Sequence, residues 1–136
     1  MQAADFRHSC TLRVRWAEVD MQGVVFNGHY LTYVDVAITE YFRELKLAGG
    51  SFSAVRNVLE YKSAARFDDE LTLRVRTKRL GRSSFVLDVG IWRGDELLTT
   101  CEITYVNTDL ATRTSQPLPE DVRRNILAYE PQTPEC

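Results

Sequence analysis

The chain has 136 residues, 44% of them hydrophobic and 26% charged, with a net charge of −2. That length and balance suit one globular domain with a real core, and the near-neutral charge gives no electrostatic case for nucleic acid. The sequence has no apolar run of about 18 residues, so no membrane span is expected.

The amino terminus, MQAADFRHSC, has neither the basic lead nor the apolar stretch of a signal peptide. Cys10, Cys101 and Cys136 lack CxxC spacing and read as reduced thiols, so a cytoplasmic location is expected. With His8 and His29 the only histidines, no metal is expected.

In chain order, residues 8–16 alternate, with Cys10, Leu12, Val14 and Trp16 on one face of a half-buried strand. From Tyr30 to Leu47 the period changes. Tyr30, Val34, Ala37, Ile38, Tyr41, Phe42 and Leu45 form an apolar stripe at helical spacing, with Asn27 as expected N-cap and Gly49-Gly50 as the stop. Val55–Tyr61 alternates again, and Leu71–Thr77, Phe85–Ile91 and Leu97–Tyr105 follow as strands. Turns at Leu80–Ser83 and Arg93–Glu96 join these last three into an antiparallel meander. Pro117 and Pro119 introduce a short helix over about 120–127, and residues 129–136 are expected to fray. The order predicts an α+β domain spanning 1–136, a five-stranded antiparallel sheet curled around one long helix. Such a sheet leaves a strand edge open, which favours a homo-oligomer.

Motif by motif, GxSxG, GxGxxG, GxxxxGK(S/T) and HExxH are all absent. A Cys10–His29 pair is disfavoured because Cys10 falls on an apolar strand face. What remains is the stretch DMQGVVFNGHYL, where Asp20 and two glycines precede the long helix. Taken alone, Asp20 reads as a turn former bonding its own backbone, or as a reacting carboxylate.

The residues Val14-Arg15-Trp16, Glu18-Val19-Asp20, Gly23-Val24-Val25-Phe26, Tyr30-Leu31 and Asp35 resemble the signature of the 4-hydroxybenzoyl-CoA thioesterase-like branch of the hot-dog fold. Phe67–Leu71, Gly81–Ser84, Tyr105-Val106 and Pro117–Pro119 are consistent with it, so the likeness spans about residues 8–125. The resemblance implies a hot-dog fold and hydrolysis of an acyl-CoA thioester, with no cofactor beyond the coenzyme A of the substrate. It makes Asp20 the general base or nucleophile, and it gives the oxyanion to backbone N–H groups of Asn27 and Gly28 at the helix start. Gly23 allows the tight turn.

His29 is read as orienting water or Asp20, or as a helix cap. Asp35, fifteen residues after Asp20, is a supporting carboxylate or one satisfied by Arg or Tyr. Glu18 is read as a solvated or salt-bridged strand end. Substrate contacts are assigned to Gly23, Val25, Phe26 and Tyr30, and Lys78, Arg79, Arg82, Ser83 and Ser84 read as a basic turn for the CoA phosphates or as a solvated hairpin. Tyr33 and Phe52 line the acyl pocket or belong to the core. Sites shared between subunits of a dimer or homotetramer are implied.

This chemistry suits the residues. A thiolate leaves without a general acid, so one carboxylate suffices, and what the reaction needs is oxyanion stabilisation. One such donor is worth about 2.7–4 kcal/mol of the barrier. Two other functions compete: a hydratase or dehydratase of the same fold, whose GDxNPxH-type motif is absent, and a non-catalytic acyl-CoA or acyl-carrier binder.

Overall fold

The computed structural model describes residues 1–47 and 50–136. Its main elements are β1 (His8–Arg13), α1 (Asn27–Glu44), β2 (Phe52–Tyr61), β3 (Glu70–Leu80), β4 (Ser84–Arg93), β5 (Glu96–Asp109), β6 (Thr114–Ser115) and α2 (Glu120–Tyr129). The antiparallel sheet has the order β1-β3-β4-β5-β2, with the short β6 pairing β5. Its five long strands wrap α1, as the alternation and the helical stripe together require.

Tyr30, Tyr33, Val34, Ala37, Ile38 and Tyr41 of α1 are all buried. They meet Leu71, Leu73 and Val75 of β3, Leu87, Val89 and Ile91 of β4, and Leu98, Cys101 and Ile103 of β5 in one hydrophobic core. Alternate residues of β3 and β4 face this core, while a register shift between β4 and β5 puts Leu98, rather than the expected Leu97, into it.

Several boundaries differ from expectation. The helix begins at Asn27, and its N-cap is Phe26, whose side chain makes no capping bond. It ends at Glu44, where the Leu47 N–H donates to the Phe42 carbonyl and the Lys46 N–H to the Arg43 carbonyl. That is a Schellman stop with Lys46 at φ 56 in the place where glycine is usual. Of the expected Gly49-Gly50 stop, Gly49 lies outside the described residues. β1 stops at Arg13, so Trp16 does not continue its apolar face but is 72% exposed in a 3₁₀ turn, Trp16–Glu18.

The carboxyl terminus does not fray. The helix α2 runs on to Tyr129, Pro134 is buried, and Glu135 pairs with β3 through Leu80 N–H and Lys78 C=O at 2.8 and 2.9 Å. The cause is an unfilled edge: β1 begins opposite Val75, so the last residues of β3 need other backbone partners.

Candidate functional site

After β1 the chain is tied to the loop before β3, with Val14 N–H donating to Asp69 C=O at 2.9 Å and Asp68 N–H to Val14 C=O at 3.1 Å. Residues 18–26 then form a narrow hairpin. Asp20 N–H donates to Val24 C=O at 2.9 Å, Val19 bridges Val25, and Phe26 N–H donates to Glu18 C=O at 3.0 Å. Gly23, at φ 78, turns the chain back, a conformation that side-chain-bearing residues rarely adopt. Asp20 is exposed at the turn, and one of its oxygens, Oδ1, accepts the Gln22 N–H at 2.8 Å. The turn-forming role of Asp20 is therefore real, and Oδ2 makes no hydrogen bond among the described residues.

The other end of this short ladder is the start of α1. His29 N–H donates to Phe26 C=O at 2.9 Å, whereas the N–H groups of Asn27 and Gly28 donate no hydrogen bond among the described residues. The first turn of a helix leaves such donors unpaired and carries about half a positive charge. Two hollows begin there, one lined by Asn27 and the other by Gly28. A cleft of about 240 Å³ lies between Val24, Val25, Asn27, Tyr30 and Tyr61. A groove of about 410 Å³ runs from Gly28 along Leu31, Asp35 and Ile38 toward Asn57 of β2 and Tyr105 of β5. A broader hollow of about 490 Å³ lies on the outer face of the sheet. Its charges neutralise one another there, Glu102 with Arg56 at 3.1 Å and with Lys78 at 2.8 Å, and Arg76 with Asp88 at 2.9 Å.

The remaining site residues separate into near and far. Val25 and Tyr30 are buried beside the cleft, and the Tyr30 hydroxyl accepts the Ala65 N–H at 3.0 Å. Phe26 is exposed, with the half-buried His29 ring edge-on at 6.2 Å and without a side-chain hydrogen bond among the described residues. Asp35 is exposed in the groove. Burial and then the Asp35 charge push the Tyr105 hydroxyl up to about 12. Tyr33 belongs to the core, and Phe52 packs edge-on against Phe85 at 5.0 Å.

Arg82, Ser83 and Ser84 lie at the opposite end of the sheet. β3 starts beside the Asp20 loop and runs eleven residues before reaching their turn, about 35 Å at strand spacing. One chain does not bring them together with Asp20. Nor does Cys10 meet His29: its thiol is pushed up by burial and by the charge of Glu40, eleven residues further along α1 than His29.

Glu18 departs furthest from expectation. It is salt-bridged, but it is buried at 5% exposure rather than solvated. Burial raises its carboxyl, yet hydrogen bonds from Arg15 and Tyr33 outweigh that and hold it below the usual carboxylate range. Among the described residues no group of three or more His, Cys, Asp or Glu side chains converges to hold a metal, and no helix is long and apolar enough to cross a membrane.

Comparison with known proteins gives the family and the fold. The profile of the thioesterase superfamily matches residues 22–100, beginning just after Asp20. The acyl-CoA thioesterase YbgC of Haemophilus influenzae is 23% identical over 123 residues, covering 85% of this chain and 90% of that protein. A thioesterase from Thermus thermophilus, in complex with coenzyme A and zinc, superposes with a TM-score of 0.84 at 26% identity over 94% of this chain and 97% of its own. A 1,4-dihydroxy-2-naphthoyl-CoA thioesterase from Synechocystis shares the fold, with a TM-score of 0.83 at 19% identity over 91% and 98% of the two chains.

Proposed function

Since the chain belongs to the thioesterase superfamily, we propose that it hydrolyses acyl-CoA thioesters, with Asp20 as the reacting carboxylate and the N–H groups of Asn27 and Gly28 as the oxyanion donors. The observation that carries this is one hairpin with the exposed Asp20 carboxylate at its turn and unpaired helix N–H groups at its base. The names of the Haemophilus and Thermus relatives support the substrate class.

The thioester carbonyl sits over the helix start, where its oxygen takes the N–H groups of Asn27 and Gly28. The free oxygen of Asp20 then either removes a proton from water, whose hydroxide adds to the carbonyl carbon, or adds there itself. On the first route the tetrahedral centre collapses and expels CoA as its thiolate, which takes up the proton. On the second, the tetrahedral adduct expels CoA as its thiolate and leaves a mixed anhydride on Asp20; water then cleaves it to the free acid and the Asp20 carboxylate, and a proton released there passes to the thiolate. Charge gathers on the carbonyl oxygen in both, so the helix start contributes most where the barrier is highest. The groove beginning at Gly28 receives the acyl group, and His29 borders the reacting centre beside Phe26.

The site is shared between two copies. β2 is an edge strand with most of its residues exposed, running from the far end of the sheet to the near end. Antiparallel pairing of two β2 edges about a twofold axis sets the near end of one chain beside the far end of the other. The basic turn of Arg82, Ser83 and Ser84 in a second copy then reaches the CoA phosphates of this chain's site.

The test is free-thiol release from a panel of acyl-CoAs by wild type and Asp20→Asn. Aromatic acyl groups come first, because the stretch from Trp16 to Asp35 resembles the 4-hydroxybenzoyl-CoA branch. The substitution keeps size and removes charge, so kcat is expected to fall about a hundredfold or more with KM little changed. Equal activity of the two proteins would refute the role of Asp20. Acyl-CoA binding without turnover by wild type would make the chain a binder.

A further inference from the structure

We infer that Glu18 is a positioning residue that locks the Asp20 turn to the helix whose first turn holds the oxyanion donors. The inference rests on Asp20 being the reacting carboxylate.

Glu18 uses every oxygen it has. Its Oε1 accepts the Arg15 backbone N–H at 2.8 Å and the Tyr33 hydroxyl at 2.9 Å. Its Oε2 accepts Arg15 Nε at 3.0 Å and Nη2 at 2.8 Å. Its carbonyl oxygen accepts the N–H of Phe26, the N-cap of α1, at 3.0 Å. One residue thus joins the end of the incoming strand, the second turn of α1 and the residue before Asn27. Asp20 follows two positions later. Tyr33 is buried in the core, so the anchor on the helix side is rigid.

Stability alone is a weak reason for this arrangement. A buried carboxylate carries a desolvation cost that an apolar residue of similar size avoids, and such replacements are often neutral or stabilising. What an apolar residue cannot supply is direction. Four hydrogen bonds to one carboxylate fix where the next residues leave the strand, and a reacting group needs its geometry held to a fraction of an ångström. The tip of the hairpin has little else: Met21, Gln22 and Gly23 are exposed, and beyond the hairpin's own bonds the loop's backbone is held at its returning arm, where Val24 bridges Arg66 and Val25 N–H donates to Ala65 C=O at 2.9 Å.

Tyr33→Phe removes one hydroxyl at constant shape, and Glu18→Gln removes the charge that receives the Arg15 guanidinium. Each is measured alone and in the Asp20→Asn background for kcat, KM and melting temperature, well below the melting point of each variant. Each alone is expected to lower kcat about tenfold or more with KM within about twofold, since small displacements of a reacting group have effects of this size. Neither is expected to lower the residual rate of Asp20→Asn further, because a group acting through Asp20 then has nothing to position. Full kcat in Tyr33→Phe beside an inactive Asp20→Asn overturns this inference alone. So does an equal fractional loss in both backgrounds, which marks a general structural effect. Wild-type activity in Asp20→Asn removes the reading of Asp20, and this inference with it.

Discussion

Gly90 lies in the middle of β4, paired with Arg74 of β3 on one side and Thr100 of β5 on the other. It points to the outer face of the sheet, where Trp92, two residues on, folds back across it. Although on that face, Trp92 is only 5% exposed, with Phe6 edge-on at 5.6 Å and the Arg74 guanidinium 5.6 Å above its ring. A methyl group at Gly90 would stand 2.5 Å from Trp92 Cη2, nearer still to Cζ3, and 3.0 Å from Met1 Sδ. Carbon atoms pack at about 3.5–4.0 Å, so the overlap is about 1 Å or more. The backbone is held by ladders on both sides and cannot yield, so the indole must move and leave Phe6. Overpacking of this kind costs about 1–3 kcal/mol, and the lost aromatic pair about 0.5–1.5 kcal/mol more. Against this, alanine gains about 0.5–1 kcal/mol over glycine within a strand. Gly90→Ala is therefore expected to destabilise by about 1–3 kcal/mol, lowering the melting temperature by about 3–12 °C at this chain length. Scanning calorimetry of Gly90→Ala in the wild-type and Trp92→Val backgrounds checks it. The substitution should be neutral or stabilising once the indole is gone. A melting temperature at or above wild type, or an equal loss in both backgrounds, would refute the packing argument.

Two more expectations concern titrating groups. Glu130 is 9% exposed and accepts the Tyr41 hydroxyl at 2.5 Å and the Thr77 N–H at 3.2 Å. Burial nevertheless pushes its carboxyl above the usual range. The folded state therefore holds this proton more tightly than the unfolded chain. Its contribution to stability is complete below the ordinary glutamate pKa and is lost as pH rises through the raised folded value. Glu130→Gln, which keeps an acceptor for Tyr41 and Thr77, should raise the melting temperature at neutral pH and flatten that slope. A lower melting temperature at neutral pH would contradict it. Among the thiols, Cys136 is exposed, whereas Cys101 is buried and pushed up to about 11 by that burial and then by Glu102 and Asp88. A thiol reagent at neutral pH should label Cys136 first and Cys101 only on unfolding. Fast labelling of Cys101 would show that β5 opens.

Much of the fold is legible because burial leaves its period in the chain. The residues at three- and four-residue steps from Tyr30 to Leu45 are those that α1 buries or packs against the core, and the alternating Leu71, Leu73 and Val75 face them. The boundaries are less legible. Trp16 continues the alternation of residues 8–16 but lies outside the strand, because the backbone of Val14 is claimed by Asp68 and Asp69 from a distant loop. Lys46 ends the helix in a conformation that no local signal would assign to lysine, and the terminal residues pair with β3 because β1 leaves that edge open.

For the candidate site, the residues near Asp20 were legible as a motif and the distant ones were not. Asp20, Gly23, Asn27 and Gly28 are neighbours in the chain, so the hairpin that joins them is a local structure. Glu18 was not legible, since its hydrogen bond to Tyr33 spans fifteen residues and a change from strand to helix. Arg82, Ser83 and Ser84 stand far from Asp20 in one chain, which no count of spacings reveals.

By itself, then, the sequence determined the five long strands, the long helix and the face that helix buries, because these follow from side chains a few residues apart. Only the tertiary structure decided that β1 pairs with β3, that β2 is left as an edge beside β5, and that the salt-bridged Glu18 is buried and bonded to Tyr33. Those outcomes depend on which distant surfaces meet, and that is settled by packing the whole core at once.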